Sequence, residues 1–222
     1  MFAQVAPRYD LLNHLLSASL DRLWRRRAAE ALAGAGDGLP VLDLCCGTGD
    51  QALALARRSH RVVASDFCLP MLTLARGKYA AERAAAHGLA ADTLRLPFAD
   101  GIFGGATVSF GLRNVEDLDT ALAEIRRVLA PGARLVVLEF AMPDLPPLRS
   151  LYRVYFRRVL PWIGRRLSDS SSAYSYLPSS VVTFPQRADF VERMEGAGFA
   201  TTGWEDLSGG IVCLYTARRP LD

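Results

Sequence analysis

Lysine is almost missing from this chain: of 26 basic side chains, Lys78 is the only lysine. With 23 acids the formal charge is +3, too small a surplus to argue for a nucleic-acid partner. Cysteine is sparse as well. Cys45, Cys46, Cys68 and Cys213 form no CxxC pair, and 222 residues bury enough core to need no disulfide staples, so they read as small buried residues in a reducing compartment. His14, His60 and His87 show no ligand spacing with Asp, Glu or Cys, and no metal is expected. No apolar run approaches the roughly 20 residues that span a bilayer. No signal-peptide pattern opens the sequence, so the expected location is cytoplasmic, with the inner face of the membrane as a peripheral variant. Repeats and Gly/Ser-rich linkers are absent, and residues 1–222 are expected to form a single domain.

What is present is an alternation of short β-rich runs with longer helical ones. VLDLCC (41–46) reads as a strand ending in the glycine loop GTGD, followed by an alanine-rich helix to Arg58. RVVASD (61–66) is the next strand, and a helix is expected from Pro70 to Ala86. A weak strand falls near Leu89 to Ala91 and a firmer one at ATVSF (106–110). The helix Leu118 to Leu129 is expected to stop at Pro131 and Gly132, and ARLVVLEF (133–140) is the strongest strand pattern. Strand–helix–strand repetition predicts an α/β fold, a parallel sheet covered on both faces with right-handed crossovers. The tail differs: a helix from Pro185 to Gly196, then two strand-like runs hinged at Gly209-Gly210, an antiparallel hairpin at the sheet edge.

Ligands of such sheets bind at the carboxyl ends of the strands. Gly47 and Gly49 let the backbone approach a ligand and turn sharply into a helix. Asp66 ends the second strand, where a carboxylate can grip two ribose hydroxyls. A tight turn and a strand cap would account for the same residues more plainly. Gly47-x-Gly49-x-x-Ala52 also satisfies the dinucleotide fingerprint as a string. Two features argue against a nicotinamide cofactor. Asp43 lies inside the first strand, where it could meet an amino group, and Asp92 precedes the Leu96-Pro97-Phe98 turn, suited to an adenine edge. Adenosine joined to a charged amino acid describes S-adenosyl-L-methionine.

From here the motifs narrow. VAPRYDLLN (5–13) with LDRLW (20–24), VLDLCCGTGD (41–50), SDFCLPML (65–72), LPFADGIF (96–103), SFGLRNVED (109–117), RVLAPGARLVVLEF (127–140), YFRRVLPWIG (155–164), YSYLPSSVVTFP (174–185) and GFATTGWEDLSGGIV (198–212) run almost end to end. Together they resemble the ubiquinone/menaquinone biosynthesis C-methyltransferases, with FGLRN and the YxYL…FP segment narrow to that family. The resemblance implies a class I S-adenosylmethionine-dependent methyltransferase fold, Rossmann-like, with a mostly parallel seven-stranded sheet and an antiparallel C-terminal edge hairpin. It also implies an N-terminal helical segment over 1–35 and a lid or membrane-facing helical insertion over 145–180.

The implied reaction is methylation of a ring carbon of a polyprenylated quinol, demethylmenaquinol to menaquinol or the equivalent benzoquinol. Another small phenol or lipid as substrate is the alternative, and an inactive adenosine-ligand module a second. The resemblance assigns Thr48, Asp66, Asp92, Thr93 and Ser109 to the cofactor, beside Asp43, Gly47 and Gly49 from the loop reasoning. Arg113, Asn114 and Tyr9 are the catalytic or substrate-contacting candidates, and Tyr174 and Tyr176 belong to the same signature. Against these roles stand an ion pair for Arg113 and a turn for Asn114. Departures are Cys45 and Cys46 in the loop, Leu94 and Gly104 in place of acids, and a short stretch between Lys78 and Asp92.

Partners expected are the quinol, a second copy of the chain in a homodimer, and the membrane surface. The last rests on Leu148 to Arg166, which carries six arginines and no acid among Leu, Tyr, Val, Phe and Trp. Arg149, Arg153 and Arg157 share one helical face, and Pro161 limits the first helix to about three turns. Such a helix suits an anionic bilayer surface or an amphipathic lid on the protein's own core.

Overall fold

The computed structural model describes residues 9–34, 38–58, 60–155 and 179–221. In chain order these form α1 (Tyr9–Leu16), α2 (Leu20–Ala31), β1 (Val41–Leu44), α3 (Asp50–Ala56), β2 (Val62–Asp66), α4 (Leu69–Glu82) and β3 (Ala86–Ala90). Then come β4 (Phe103–Ser109), a 3-10 turn (Leu112–Asn114), α5 (Leu118–Val128), β5 (Leu129–Phe140), α6 (Pro146–Val154), α7 (Ala188–Gly196), β6 (Ala200–Leu207) and β7 (Val212–Arg218). The seven strands make one sheet in the order β3-β2-β1-β4-β5-β7-β6. β1 to β5 run parallel, and β7 enters antiparallel between β5 and β6, as expected of the C-terminal hairpin.

Parallel strands covered by helices on both faces read as continuous apolar runs, and every residue of VLDL and FGGATVS is buried. Alternation divides them between two cores. Leu42, Leu44 and Val108 pack with Ile125 of α5 and Phe190 of α7. Val41 packs on the other face with Trp24 of α2, Leu32 just after it, Leu53 of α3 and Leu72 of α4. Asp43 shares the face of Val41 and stays buried there. The edge strand β6 is mostly exposed and carries Glu205 and Asp206, charges that discourage edge-to-edge pairing.

Several boundaries differ from the sequence expectation, each for a backbone reason. β1 ends at Leu44 because Cys45 turns left-handed (φ 51°). Left-handed Arg83 (φ 50°) ends α4 at Glu82, well before Ala86, and so makes room for β3 to begin at Ala86. α5 opens on Asp117, whose Oδ1 accepts from the Thr120 N–H at 3.1 Å. Its end is not set by Pro131 and Gly132: Leu129 is already extended (ψ 139°) and starts β5. The two residues instead sit where the β4–β5 register shifts, between the Phe103 and Gly105 pairs. α7 starts at Ala188 and not Pro185, after Arg187 at φ 53°.

Register aligns the carboxyl edge. Leu44 pairs with Ser65 and with Val108, so Cys45, Asp66 and Ser109 stand side by side one step further on. Ser109 pairs with Leu138, which puts Glu139 next on β5. The N-terminal helices and α6 lean over this edge: Tyr155 Oη donates to the Leu16 carbonyl at 3.0 Å, and Trp24 Nε1 to Ser208 Oγ at 2.9 Å. Tyr174, Tyr176, Arg157 and Pro161 lie outside the described residues, as do the motifs over 156–178.

Candidate active site

The loop after β1 is shaped by three left-handed residues, Cys45 (φ 51°), Gly47 (φ 54°) and Gly49 (φ 87°). Glycine takes this conformation freely; a side chain there costs about 1–2 kcal/mol, so Cys45 fits by size but sits strained. A Cβ on Gly49 would collide with the Tyr79 ring. Asp66 locks the loop, accepting from the Gly47 N–H through Oδ2 and from the Cys68 N–H through Oδ1, both at 2.7 Å. Burial raises its carboxyl above the ordinary range, and these two backbone bonds oppose the rise.

Asp43 lies beneath the loop. Oδ1 accepts from Thr107 Oγ1 at 2.8 Å, while Oδ2 is buried with no partner. Burial pushes this carboxyl up to about 7, against the pull of the Thr107 bond. Around it, Gln51 leaves both Nε2 and Oε1 unpartnered, and Tyr79 Oη, Ser109 Oγ and Asn114 Oδ1 are buried in the same condition. Buried polar atoms are nearly always satisfied. Several exceptions on the elements that converge at one sheet edge fit a polar ligand that supplies both donors and acceptors, as the amino-acid end of S-adenosylmethionine does.

On the outer side of the loop, Thr48 Oγ1 donates to Asp10 Oδ1 of α1. Lys78 Nζ bridges the same elements, 3.2 Å from Thr48 Oγ1 and 2.6 Å from both Asp10 and Asp50. The first turn of α1 is thereby clasped to the glycine loop. Tyr9 opens that turn, though its side chain lies outside the described residues. Charge from Arg25 and Lys78 keeps Asp50 below the ordinary carboxylate range although burial pulls it up. His14, for which linear spacing offers no ligand set, meets Asp21 at 2.9 Å, and Asp50 completes a group within 4.8 Å. Three helices, α1, α2 and α3, assemble it, and Lys78 already supplies Asp50 with a cation.

Asp92 is exposed and accepts from the Leu94 N–H at 2.9 Å, closing a turn at the third strand's end. Thr93 is buried, its Oγ1 3.6 Å from Cys45 Sγ. Beyond β4, Phe110 is left-handed (φ 62°) and the chain folds into the 3-10 turn bearing Arg113 and Asn114. Arg113 is ion-paired, Nη1 lying 2.8 Å from Glu139 Oε2 and 2.5 Å from the Phe110 carbonyl. Asn114 Nδ2 reaches the same carbonyl at 3.4 Å. Phe110 and Phe140 pack with ring centroids 4.5 Å apart, and Trp24 of α2 sits 6.1 Å from Phe110. The Arg25 and Arg113 guanidiniums lie over this cluster, 5.4 Å from Phe110 and 5.3 Å from Phe140.

The candidates among the described residues thus gather along one edge; the Tyr9 side chain, Tyr174 and Tyr176 lie outside the described residues. Sequence reasoning missed Glu139, Gln51, Thr107, Arg25 and the Asp10–Lys78–Asp50 clasp. Two signals were available: the acid inside LVVLEF, and the single lysine.

Residues 1–219 match the ubiE/COQ5 methyltransferase family. A demethylmenaquinone methyltransferase of Thermus thermophilus is 47% identical over 222 residues, covering 99% of this chain and 100% of that one. A ubiquinone/menaquinone biosynthesis C-methyltransferase of Syntrophotalea carbinolica is 47% identical over 223 residues, covering 100% and 93%. Among solved structures, the cyclase SpnF superposes with TM-score 0.71 at 20% identity, over 92% of this chain and 82% of that one. Phosphoethanolamine N-methyltransferase 2 of Haemonchus contortus, solved with S-adenosyl-L-methionine, gives 0.65 at 13% over 89% and 52%. These two share the fold, and a cyclase among them shows that the fold alone does not name a reaction. The match along nearly the whole sequence does what the fold cannot: this chain belongs to the ubiE/COQ5 methyltransferase family.

Proposed function

We propose that this protein methylates a ring carbon of a polyprenylated quinol, with S-adenosyl-L-methionine as donor and demethylmenaquinol as the preferred acceptor. The observation that carries the site is the meeting of two chemistries at one sheet edge. Asp43 on β1, Gln51 on α3 and Tyr79 on α4 each carry a buried polar atom left unsatisfied, and the Arg113–Asn114 turn follows β4, the strand beside β1. The naphthoquinol is preferred over the benzoquinol because relatives matched over nearly their whole length carry the name demethylmenaquinone methyltransferase.

The cofactor supplies an electrophilic methyl group on a sulfonium. Asp43 and Gln51 hold its amino-acid end, with Gly47, Gly49 and Thr48 giving close backbone approach. Asp66, already anchored by two backbone N–H groups, keeps further lone pairs for ribose hydroxyls, and Asp92 with Thr93 flanks the adenine. Ser109 lies against the donor. The quinol must lose a phenolic proton to push electron density onto its unsubstituted ring carbon. Arginine is too basic to take that proton, so Arg113 stabilises the phenolate or orients a water that accepts it, while Asn114 Oδ1 and Nδ2 engage ring oxygens. Phe110, Phe140 and Trp24 exclude water beside them, which favours collapse of opposite charges. Tyr9, on the clasped α1, contacts the quinol.

The prenyl tail leads to the membrane in this reading. α6 and the residue that caps it expose Leu145 (62%), Leu151 (66%) and Val154 (49%) beside exposed Arg149 and Arg153, a combination suited to an anionic bilayer surface. Among the described residues no helix is long and apolar enough to cross a membrane. The deciding assay is transfer of labelled methyl to reduced demethylmenaquinone and to the matching benzoquinol in detergent. Label in the naphthoquinol supports the assignment; label in the benzoquinol alone reverses the substrate. If neither is labelled while calorimetry registers cofactor binding, the quinol assignment is lost.

A further inference from the structure

The ion pair beneath Arg113 has a second half. Glu139 is the penultimate residue of β5 and only 1% exposed. A buried parallel strand favours unbroken apolar sequence, and a carboxylate there bears a desolvation cost that only close pairing offsets. LVVLEF breaks the apolar pattern at this one position. The two oxygens of Glu139 divide Arg113 between them. Oε2 accepts from Nη1 at 2.8 Å, and Oε1 accepts from the Arg113 backbone N–H at 3.3 Å. One side chain therefore fixes both where the main chain turns and where the guanidinium points. The Phe110 carbonyl and the Phe140 ring complete the seat. Ser109 Oγ and Asn114 Oδ1, both without partners, belong to the same strand end and turn.

We infer that Glu139 is a positioning residue for the methyl transfer: it aims the Arg113 guanidinium and balances its charge, so that the phenolate is stabilised without losing its nucleophilicity. The inference rests on the role of Arg113 proposed above. A guanidinium freed of its counter-charge in this dry setting would hold the phenolate harder, deepening its ionisation while dulling its attack. That consequence separates positioning from mere structural support, because it moves the pH profile as well as the rate.

The test compares Glu139→Gln, Glu139→Asp and Arg113→Lys by methyl transfer to reduced demethylmenaquinone between about pH 6 and 9, with cofactor affinity read by calorimetry. Glu139→Gln keeps shape and removes charge. It is expected to lower kcat by about tenfold or more, leave cofactor affinity within about twofold, and move the acid limb of kcat to lower pH by roughly half a unit. Glu139→Asp keeps the charge at shorter reach; it should restore the limb with an intermediate kcat. Should the Gln variant fail to fold, the Asp variant decides: wild-type kcat there overturns the positioning role. Wild-type kcat and an unmoved limb in Glu139→Gln overturn the inference. If Arg113→Lys also turns over normally, the Arg113 assignment itself has failed. If Arg113→Lys is crippled while Glu139→Gln is not, only the inference about Glu139 has.

Discussion

The two halves of the site are built on opposite plans. Below β1 and β2 polar atoms are left waiting: both ends of Gln51 have no partner, and Asp43 Oδ2 and Tyr79 Oη have no hydrogen bond of normal geometry, only the weaker influence of the Ala52 N–H and the Cys46 thiol. Beyond β4 and β5 Ser109 Oγ, Asn114 Oδ1 and Arg113 Nε also lack partners, but the charge of Arg113 is already bonded through Nη1, to Glu139 and to the Phe110 carbonyl. An unsatisfied cradle is costly when empty and repaid by a ligand. A closed ion pair costs little when empty and keeps its aim. The first half is therefore suited to binding and the second to orienting, and variants should separate affinity from turnover along this line.

The sharpest break is expected from Arg113→Ala. Loss of a preorganised charge-stabilising donor lowers kcat by roughly 10²–10³-fold, with calorimetric cofactor affinity almost unchanged. The same variant leaves Glu139 buried and uncompensated, so thermal unfolding should register a loss of about 3–5 kcal/mol. Retained turnover would falsify the division into two halves. Asp66→Ala should act in the opposite sense. Hydrogen bonds to a charged group are worth about 1.5–3 kcal/mol, so titration should register cofactor affinity weakened by roughly 10–100-fold, with kcat at saturation far less affected.

Asp43 sharpens the contrast through pH. Its folded pKa, about 7, lies above its unfolded value, so the folded state binds the extra proton and stability declines as pH rises from the unfolded pKa through 7. Binding an ammonium requires the carboxylate, so cofactor affinity should fall by about tenfold per unit as pH drops below 7. Asp43→Asn should erase that slope in calorimetry, and raise the melting temperature more at pH 8 than at pH 5. A slope that survives the substitution assigns the titration to another group. The smallest effect is expected at Cys45. Cys45→Gly releases a left-handed φ of 51°, and denaturant unfolding should show a gain of about 1 kcal/mol, less the contact of Sγ with Thr93.

Legibility in the sequence cut across this division. Part of the cradle was readable because backbone demands leave residue-type traces, glycines where φ is positive and an acid at a strand end, and FGLRN marked Arg113 and Asn114; Gln51 and Thr107 left no such trace. The parallel sheet followed from strand–helix periodicity and the terminal hairpin from Gly209-Gly210, while the strand order comes from the structure alone. What escaped depends on register and on distant elements meeting. Glu139 reaches Arg113 because β4 and β5 pair in one phase, and Asp10 meets Lys78 because α1 folds back over the loop. Element ends were misjudged where a residue other than glycine turns left-handed, as at Cys45 after β1 and Arg83 after α4, since the residue type gives no warning.

The clasp at Lys78 makes the protein unusually simple to interrogate by amine chemistry. A lysine-directed acylating reagent finds one side-chain amine in 222 residues, and that amine is held by Asp10 of α1 and Asp50 of α3. Acylation competes with both ion pairs, so the change in labelling rate caused by Asp10→Asn reports the hold of α1 on that amine. The increment on the Lys78 peptide, separated from any on the α-amine and read against time with and without ligand, thus reports the contact between α1 and the glycine loop.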